Sequence, residues 1–239
     1  AGPLERFLPD SLAGATVLQV VPLPEATDTS LGLLSSDGRF KRLPLEEFLD
    51  LSSRAASVLK LKDGVRLKRV VICRERQDLV VASSTGRVLR LTVNESNLPL
   101  MGRMAQGPML LRLLPDEEVI GAACGPEDSS VLLVSRAGRI KRLSIGSLRP
   151  CQRGDLGQIG LRLPDRNDRL VDLCAAAVPL IGVRLEGGDG RSLRLLRDSL
   201  EAHSAEDSGQ DLALGPEDNV RELVPLLGPP SGSDDQIEG

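Results

Sequence analysis

Eight arginines stand in four matched pairs. Arg39 and Arg42, Arg87 and Arg90, Arg139 and Arg142, and Arg191 and Arg194 fall one and four residues after a glycine. Lys41 and Lys141 lie inside the first and third pairs. Guanidinium groups offer paired N–H donors to phosphate and carboxylate oxygens. One arginine on an exposed strand is an ordinary solvated side chain. Eight at equivalent positions favour a shared task, and a polyanion running past all of them is the partner that fits.

The glycines are Gly38, Gly86, Gly138 and Gly190, spaced by 48, 52 and 52 residues. Each sits in the turn of an apolar hairpin pattern: LGLLSSDGRFKRLPL (31–45), LVVASSTGRVLRLTV (79–93), VLLVSRAGRIKRLSI (131–145) and the looser GVRLEGGDGRSLRLL (182–196). A tight or bulged hairpin turn needs a residue at positive φ, which glycine adopts freely. A period near 50 residues denotes a repeat architecture. The residues two and five after each glycine are apolar in the first three copies (Phe40 and Leu43, Val88 and Leu91, Ile140 and Leu143). If both face a core, a bulge between them would restore alternation, and the arginines would point outward.

A connection follows each hairpin and carries a basic residue at Arg54, Arg103 and Arg153, with His203 in the fourth copy. Glycine follows at Gly107, Gly157 and Gly209, where the first copy has Ser57. Each connection leads through a Pro-Asp or related turn into another apolar strand. The arithmetic is all-β, with four-stranded blades of about 50 residues near 31–77, 78–128, 129–179 and 180–227. Residues 1–30 look like an orphan second half of a repeat. Residues 1–227 then form one domain, and the Gly-, Ser- and acid-rich 228–239 is expected to be a disordered acidic tail.

The charge pattern sharpens the reading of the arginines. The chain of 239 residues carries a net charge of −4. Residues 1–30 contribute −3, residues 31–200 contribute +8 and residues 201–239 contribute −9. A basic body with an acidic end points to a polyanion partner. Three Phe and no Tyr or Trp leave few stacking platforms for single strands, so duplex is the expected form. Tyrosine-based strand cleavage has no tyrosine to use. One His, no CxxC and no GxxxxGK motif argue against a Ser-His-Asp triad, a zinc site and a phosphate loop. No cofactor is expected. Cys73, Cys124 and Cys174 recur at the end of apolar runs and read as one small, buried, unreactive position. No apolar run is long enough to span a bilayer, which suggests a cytoplasmic location. The absence of an opening Met suggests a piece of a longer protein.

Taken together, the apolar strand, Gly, basic pair and Leu, then Arg-x-x-x-Gly and an LPD-type turn, resemble the C-terminal domain of the DNA gyrase A protein and its topoisomerase IV counterpart. The resemblance covers roughly residues 1–227. It implies a β-pinwheel, a propeller-like fold whose blades exchange strands. It also implies a basic perimeter that binds and bends or wraps duplex DNA, formed here by Arg39, Lys41, Arg42, Arg54, Arg87, Arg90, Arg103, Arg139, Lys141, Arg142, Arg153, Arg191 and Arg194. The implied partners are the remainder of the A protein of a topoisomerase and the B protein that completes it. Together they form an ATP-hydrolysing holoenzyme whose cleavage site lies outside this fragment. The gyrase-A box of that family, Gln-Arg-Arg-Gly-Gly-Lys-Gly, is missing from the first connection. Its nearest counterpart is Gln152-Arg153-Gly154-Asp155-Leu156-Gly157 in the third, without the second Arg and the Lys. The missing box fits a topoisomerase IV-like protein or a divergent paralogue better than a wrapping gyrase. A propeller that serves as a protein-binding scaffold is the other reading these residues leave open.

Overall fold

A computed structural model describes residues 6, 8–12, 14–24, 28–49, 56–163, 165–186 and 191–226. Among them the chain is built of strands, with one short α-helix, α1 (Glu46–Leu49), and three single-turn 3-10 helices. Each repeat opens with a hairpin: β1 (Thr29–Ser35) with β2 (Phe40–Pro44), β4 (Asp78–Ser83) with β5 (Arg87–Thr92), β7 (Ser130–Ser135) with β8 (Arg139–Ser144), and β11 (Leu180–Leu185) with β12 (Ser192–Leu196). The first strand of each hairpin pairs on its other side with the last strand of its repeat. Those strands are β3 (Leu67–Arg74), β6 (Val119–Gly125), β10 (Leu170–Ala175) and β15 (Val220–Pro225). Gly38, Gly86 and Gly138 take positive φ, as their turns require. Gly190, Arg54 and residues 228–239 lie outside the described residues.

Each repeat thus builds three strands of its own blade, and in the first three blades the outer hairpin strand is covered by a segment of the following repeat. The connection of the second repeat bridges Arg42 at Leu100 and Arg39 at Met109. The connection of the third pairs through β9 (Gln158–Ile159) with β5, after bridging Arg90 at Pro150. The connection of the fourth adds β13 (Ala202–His203) and β14 (Gln210–Asp211) to β8. Each donor segment enters parallel to the hairpin strand, loops out, and returns antiparallel. The returning glycine lets it lie close. A Cβ at Gly107, Gly157 or Gly209 would stand within 2.5 Å of the Phe40, Val88 or Ile140 carbonyl oxygen. Among the described residues, no strand covers the outer side of β12, and its Leu193 and Leu196 are exposed. The N-terminal segment forms no strand among its described residues. It lies along β3, where the Gln19 side chain bonds both Val70 N and Val70 O.

The parity argument needs correction. The hairpin registers run without a shift from Leu34↔Phe40 to Ser30↔Pro44, so no bulge separates Phe40 from Leu43. Phe40 and Leu43 are both buried because β2 is covered on both faces. Lys41 and Arg42 are buried with them, each 1% exposed. Three apolar clusters follow one another along the chain, each shared between neighbouring repeats.

Candidate nucleic-acid interface

Burial alone would make a guanidinium in a strand very costly, so its partners decide its role. Arg42 pairs with Glu75 and, at 2.6 Å, with Glu95 of the next repeat. Arg90 pairs with Asp78 at 2.8 Å and Glu127 at 3.0 Å, and donates to the Leu148 carbonyl at 3.0 Å. Arg142 reaches the Leu200 carbonyl at 3.3 Å and Asp198 at 3.5 Å. The arginine four residues after each of the first three turn glycines therefore grips the following repeat. The arginine one residue after does the same for the returning donor segment. Arg39 donates to Gly107 O at 3.0 Å, Arg87 donates to Leu156 O, and Arg139 pairs with Asp211 at 2.9 Å. Lys41 donates to Val58 O at 2.9 Å and to Arg103 O, and Lys141 to Gly160 O, Ala205 O and Asp207 O. Burial holds the Lys141 ammonium down at about 8. The outward orientation expected for the hairpin arginines is corrected for Arg42, Arg87 and Arg90. They lie inside the strand-exchange joints together with Lys41 and Lys141.

Arg87 shows the joint in most detail. Its guanidinium bonds both oxygens of Glu117 and the Arg112 carbonyl. Glu117 also accepts from Ser83 and Thr85, and from the Leu114 amide at 2.8 Å. Burial works against the Glu117 charge. The bonds from Arg87, the Leu114 amide, Ser83 and Thr85 outweigh it and hold the carboxyl at about 2.

The cations that do face outward are mostly others. Arg153, Arg191 and Arg194 are exposed, and Arg39 and Arg103 half-buried. Arg103 pairs with Glu47 at 2.6 Å and Arg191 pairs with Asp218. Sequence reading missed a second repeated series. The pattern Leu-basic-Leu recurs as 59–61, 111–113 and 161–163, with 212–214 as its neutral copy, and centres on Lys60, Arg112, Arg162 and Ala213. Leu111 and Leu161 are buried, so alternation turns Arg112 and Arg162 out to solvent. The signal was this three-residue pattern directly after each donor segment.

Gln152 and Arg153 are exposed in a loop that abuts this second series. Gly154 N bonds Leu110 O at 2.7 Å and Arg112 N bonds Asp155 O at 3.1 Å. The Asp155 carboxylate closes the loop by accepting from Gln152 N at 2.9 Å. Asp207 does the same for Ser204 N at 2.8 Å in the fourth repeat. The loop thus places Arg153 beside Arg112. Further along the rim, Arg139, Arg162, Arg166 and Arg169 line an open groove of 610 Å³ together with Asp165, Asp168, Thr85 and Ser208. Among the described residues no group of three His, Cys, Asp or Glu is placed to hold a metal ion. No helix there is long and apolar enough to cross a membrane.

Comparison with known proteins agrees with this architecture. Residues 33–74, 77–125 and 129–173 match the family described as DNA gyrase C-terminal domain, beta-propeller. The chain is 31% identical over 187 residues to the A protein of DNA topoisomerase 4 from Synechocystis sp., covering 73% of this chain and 20% of that protein. It is 27% identical over 214 residues to the A protein of DNA gyrase from Pseudomonas aeruginosa, covering 89% of this chain and 23% of that protein. The chain thus spans about a fifth of the length of these relatives. Its fold superposes on a C-terminal domain of DNA topoisomerase IV with a TM-score of 0.72 at 16% identity, covering 84% of this chain and 63% of that one. A DNA gyrase A C-terminal domain superposes with a TM-score of 0.64 at 16% identity, over 84% of this chain and 67% of that one.

Proposed function

The chain belongs to the DNA gyrase C-terminal domain family, and from that premise we propose that it binds and bends duplex DNA along the outer rim of its first three blades. In this reading it serves as the C-terminal domain of the A protein of a type IIA topoisomerase. Strand cleavage resides elsewhere in that protein, and an ATP-hydrolysing B protein completes the holoenzyme. The observation that carries the reading is the groove between the second and third blades, where Arg162, Arg166 and Arg169, with the Asp211-paired Arg139, outnumber the carboxylates Asp165 and Asp168. Arg112 and Arg153 extend the same rim toward the first blade. Arg112, Arg153, Arg162, Arg166 and Arg169 sit at the surface, where a phosphate backbone can displace water and counterions from them. The fourth repeat contributes little. Ala213 replaces the rim arginine, and Glu206, Asp207 and Asp211 occupy its donor segment.

The buried hairpin cations act in this proposal as positioning residues that set the angle between blades, and so the path offered to the duplex. Of the cations expected at the perimeter, Arg153 and Arg194 are exposed direct-contact candidates, and the exposed Arg191 is held by Asp218. Duplex affinity measured against salt tests the assignment. Arg162→Glu with Arg166→Glu should lower affinity at least about tenfold and flatten the salt slope, because each lost phosphate contact releases fewer counterions. Arg191→Glu with Arg194→Glu should do much less. Equal losses from the two pairs would show that the duplex also follows the fourth blade.

A second reading rests on β12. Its uncovered edge and exposed Leu193 and Leu196 suit an added strand from a protein partner. Loss of duplex binding in no rim variant, with loss of a protein complex on Leu196→Lys, would favour it.

A further inference from the structure

We propose that Met109 and Ile159 are wedges that enter the minor groove of the bound duplex, part a base step each, and so kink the DNA at the first and second blades. The inference rests on the rim reading above and adds to it a function that cations alone do not supply. Met109 lies opposite Arg39 on the first blade, and Ile159 of β9 lies opposite Arg87 on the second. Each stands two residues after a donor glycine, Gly107 or Gly157, and three before a rim arginine, Arg112 or Arg162. The two residues between tip and arginine are buried in both repeats, while the tip and the arginine both reach solvent. Met109 and Ile159 are 39% and 41% exposed. Ile159 lines the rim groove with Arg162, Arg166 and Arg169. Asp211 holds the matching place on the third blade, opposite Arg139, and pairs with it.

The backbone under both tips is fixed. Phe40 N donates to Pro108 O at 3.0 Å and Leu110 N donates to Gly38 O at 2.8 Å, so the chain is held on both sides of Met109. Gly160 N and Leu161 N both donate to Gly86 O, at 2.9 and 3.1 Å, directly after Ile159. A side chain on a strand held in this way is pre-organised for insertion.

One exposed apolar residue needs no explanation. The distribution here does. Among the described residues, the four connections expose large apolar side chains only in the second and third: Leu100, Met104, Met109, Leu114, Leu156 and Ile159. Those two connections also carry Arg112 and Arg162. Aliphatic tips among arginines are the surface that minor-groove benders present, with arginines on the backbone and the apolar side chain between base steps. The cost of unstacking is offset by the phosphates that the kink draws onto the rim.

A duplex labelled at both ends, with 2-aminopurine at its TA steps, tests the assignment on the full chain. TA steps unstack most readily, so the wild-type chain should raise 2-aminopurine fluorescence there and bring the labelled ends closer in energy transfer. Met109→Ser with Ile159→Ser should abolish the fluorescence rise, reduce the bend and weaken binding about tenfold. The salt slope should stay as it was, because no phosphate contact is lost. On a duplex already kinked by unpaired bases, the double variant should bind within about twofold of wild type, since the kink no longer has to be made. A double variant that bends duplex as well as wild type would overturn the wedge and leave the rim reading standing. So would a wild-type chain that bends duplex with no rise in fluorescence, a measurement that needs no substitution. A wild-type chain that binds no duplex at all would overturn the rim reading, and the wedge with it.

Discussion

Arg69 of the first blade and Asp172 of the third form an ion pair between residues 103 apart in sequence. Asp172 is buried, and its other bonds reach different partners. The Leu173 amide donates to Oδ1 and the Leu223 amide of the fourth blade donates to Oδ2, both at 2.8 Å. One carboxylate therefore ties three of the four blades.

Asp172→Ala should destabilise the chain by about 3 kcal/mol, since it strips a guanidinium and two amides of their acceptor at once. Asp172→Asn keeps a carbonyl for the Leu223 amide, and the partly exposed Arg69 can turn to water. Its cost should be about half as large. Urea unfolding of the two variants makes the comparison. Equal costs would show that the charge, and not the amide acceptor, carries the joint.

Acid should act on Glu117 and Asp172 with opposite signs. Glu117 titrates at about 2 against an ordinary 4.5, so the stability it contributes is fully present above 4.5. That stability, about 3 kcal/mol at full shift, is lost as pH falls from 4.5 to about 2. For Asp172, burial raises the carboxyl, although Arg69 and the two amides oppose it. Its contribution is fully present below the ordinary value and declines as pH rises through the raised one. Glu117→Gln should flatten the loss of stability between pH 4.5 and 2. Asp172→Asn should steepen the net acid loss over the range where Asp172 titrates.

Arg87 and Arg162 should separate folding from binding. Arg87→Ala leaves Glu117 buried without its main partner and should cost about 3 kcal/mol of stability. Arg162→Ala removes an exposed side chain and should change stability by less than about 0.5 kcal/mol. Only the second is expected to weaken duplex binding while leaving the melting curve in place. A melting curve unchanged by Arg87→Ala would refute the joint.

The two glycines of the Gln152–Gly157 loop should behave differently. Gly157 has φ +73° and faces the Val88 carbonyl oxygen, which an added Cβ would approach to 2.3 Å. Gly157→Ala should detach β9 from β5, and amide exchange at Gln158 and Ile159 should rise sharply. Gly154 has φ +81° with open space around it, so Gly154→Ala should cost only the conformational strain, about 1 kcal/mol.

By itself, the sequence determined the repeat, the hairpins, the turn glycines at positive φ and the donor glycines Gly107, Gly157 and Gly209. These are local matters: apolar alternation and the φ demands of a turn act over a few residues. The family resemblance that rests on them also covers strand exchange. Only the tertiary structure decided which way the basic residues point. Strand β2 sets Lys41 and Arg42 between two apolar residues as though both basic side chains met solvent, yet the donor segment and the next repeat cover them, and Arg42 meets Glu75 and Glu95 there. The partners of Arg87 and Arg69 lie 30 and 103 residues away, beyond the reach of any periodic pattern. Arg112 and Arg162 stayed unnoticed for the converse reason. Nothing in a lone Leu-Arg-Leu states that its arginine will be left at the rim once the larger basic pairs have been drawn inside.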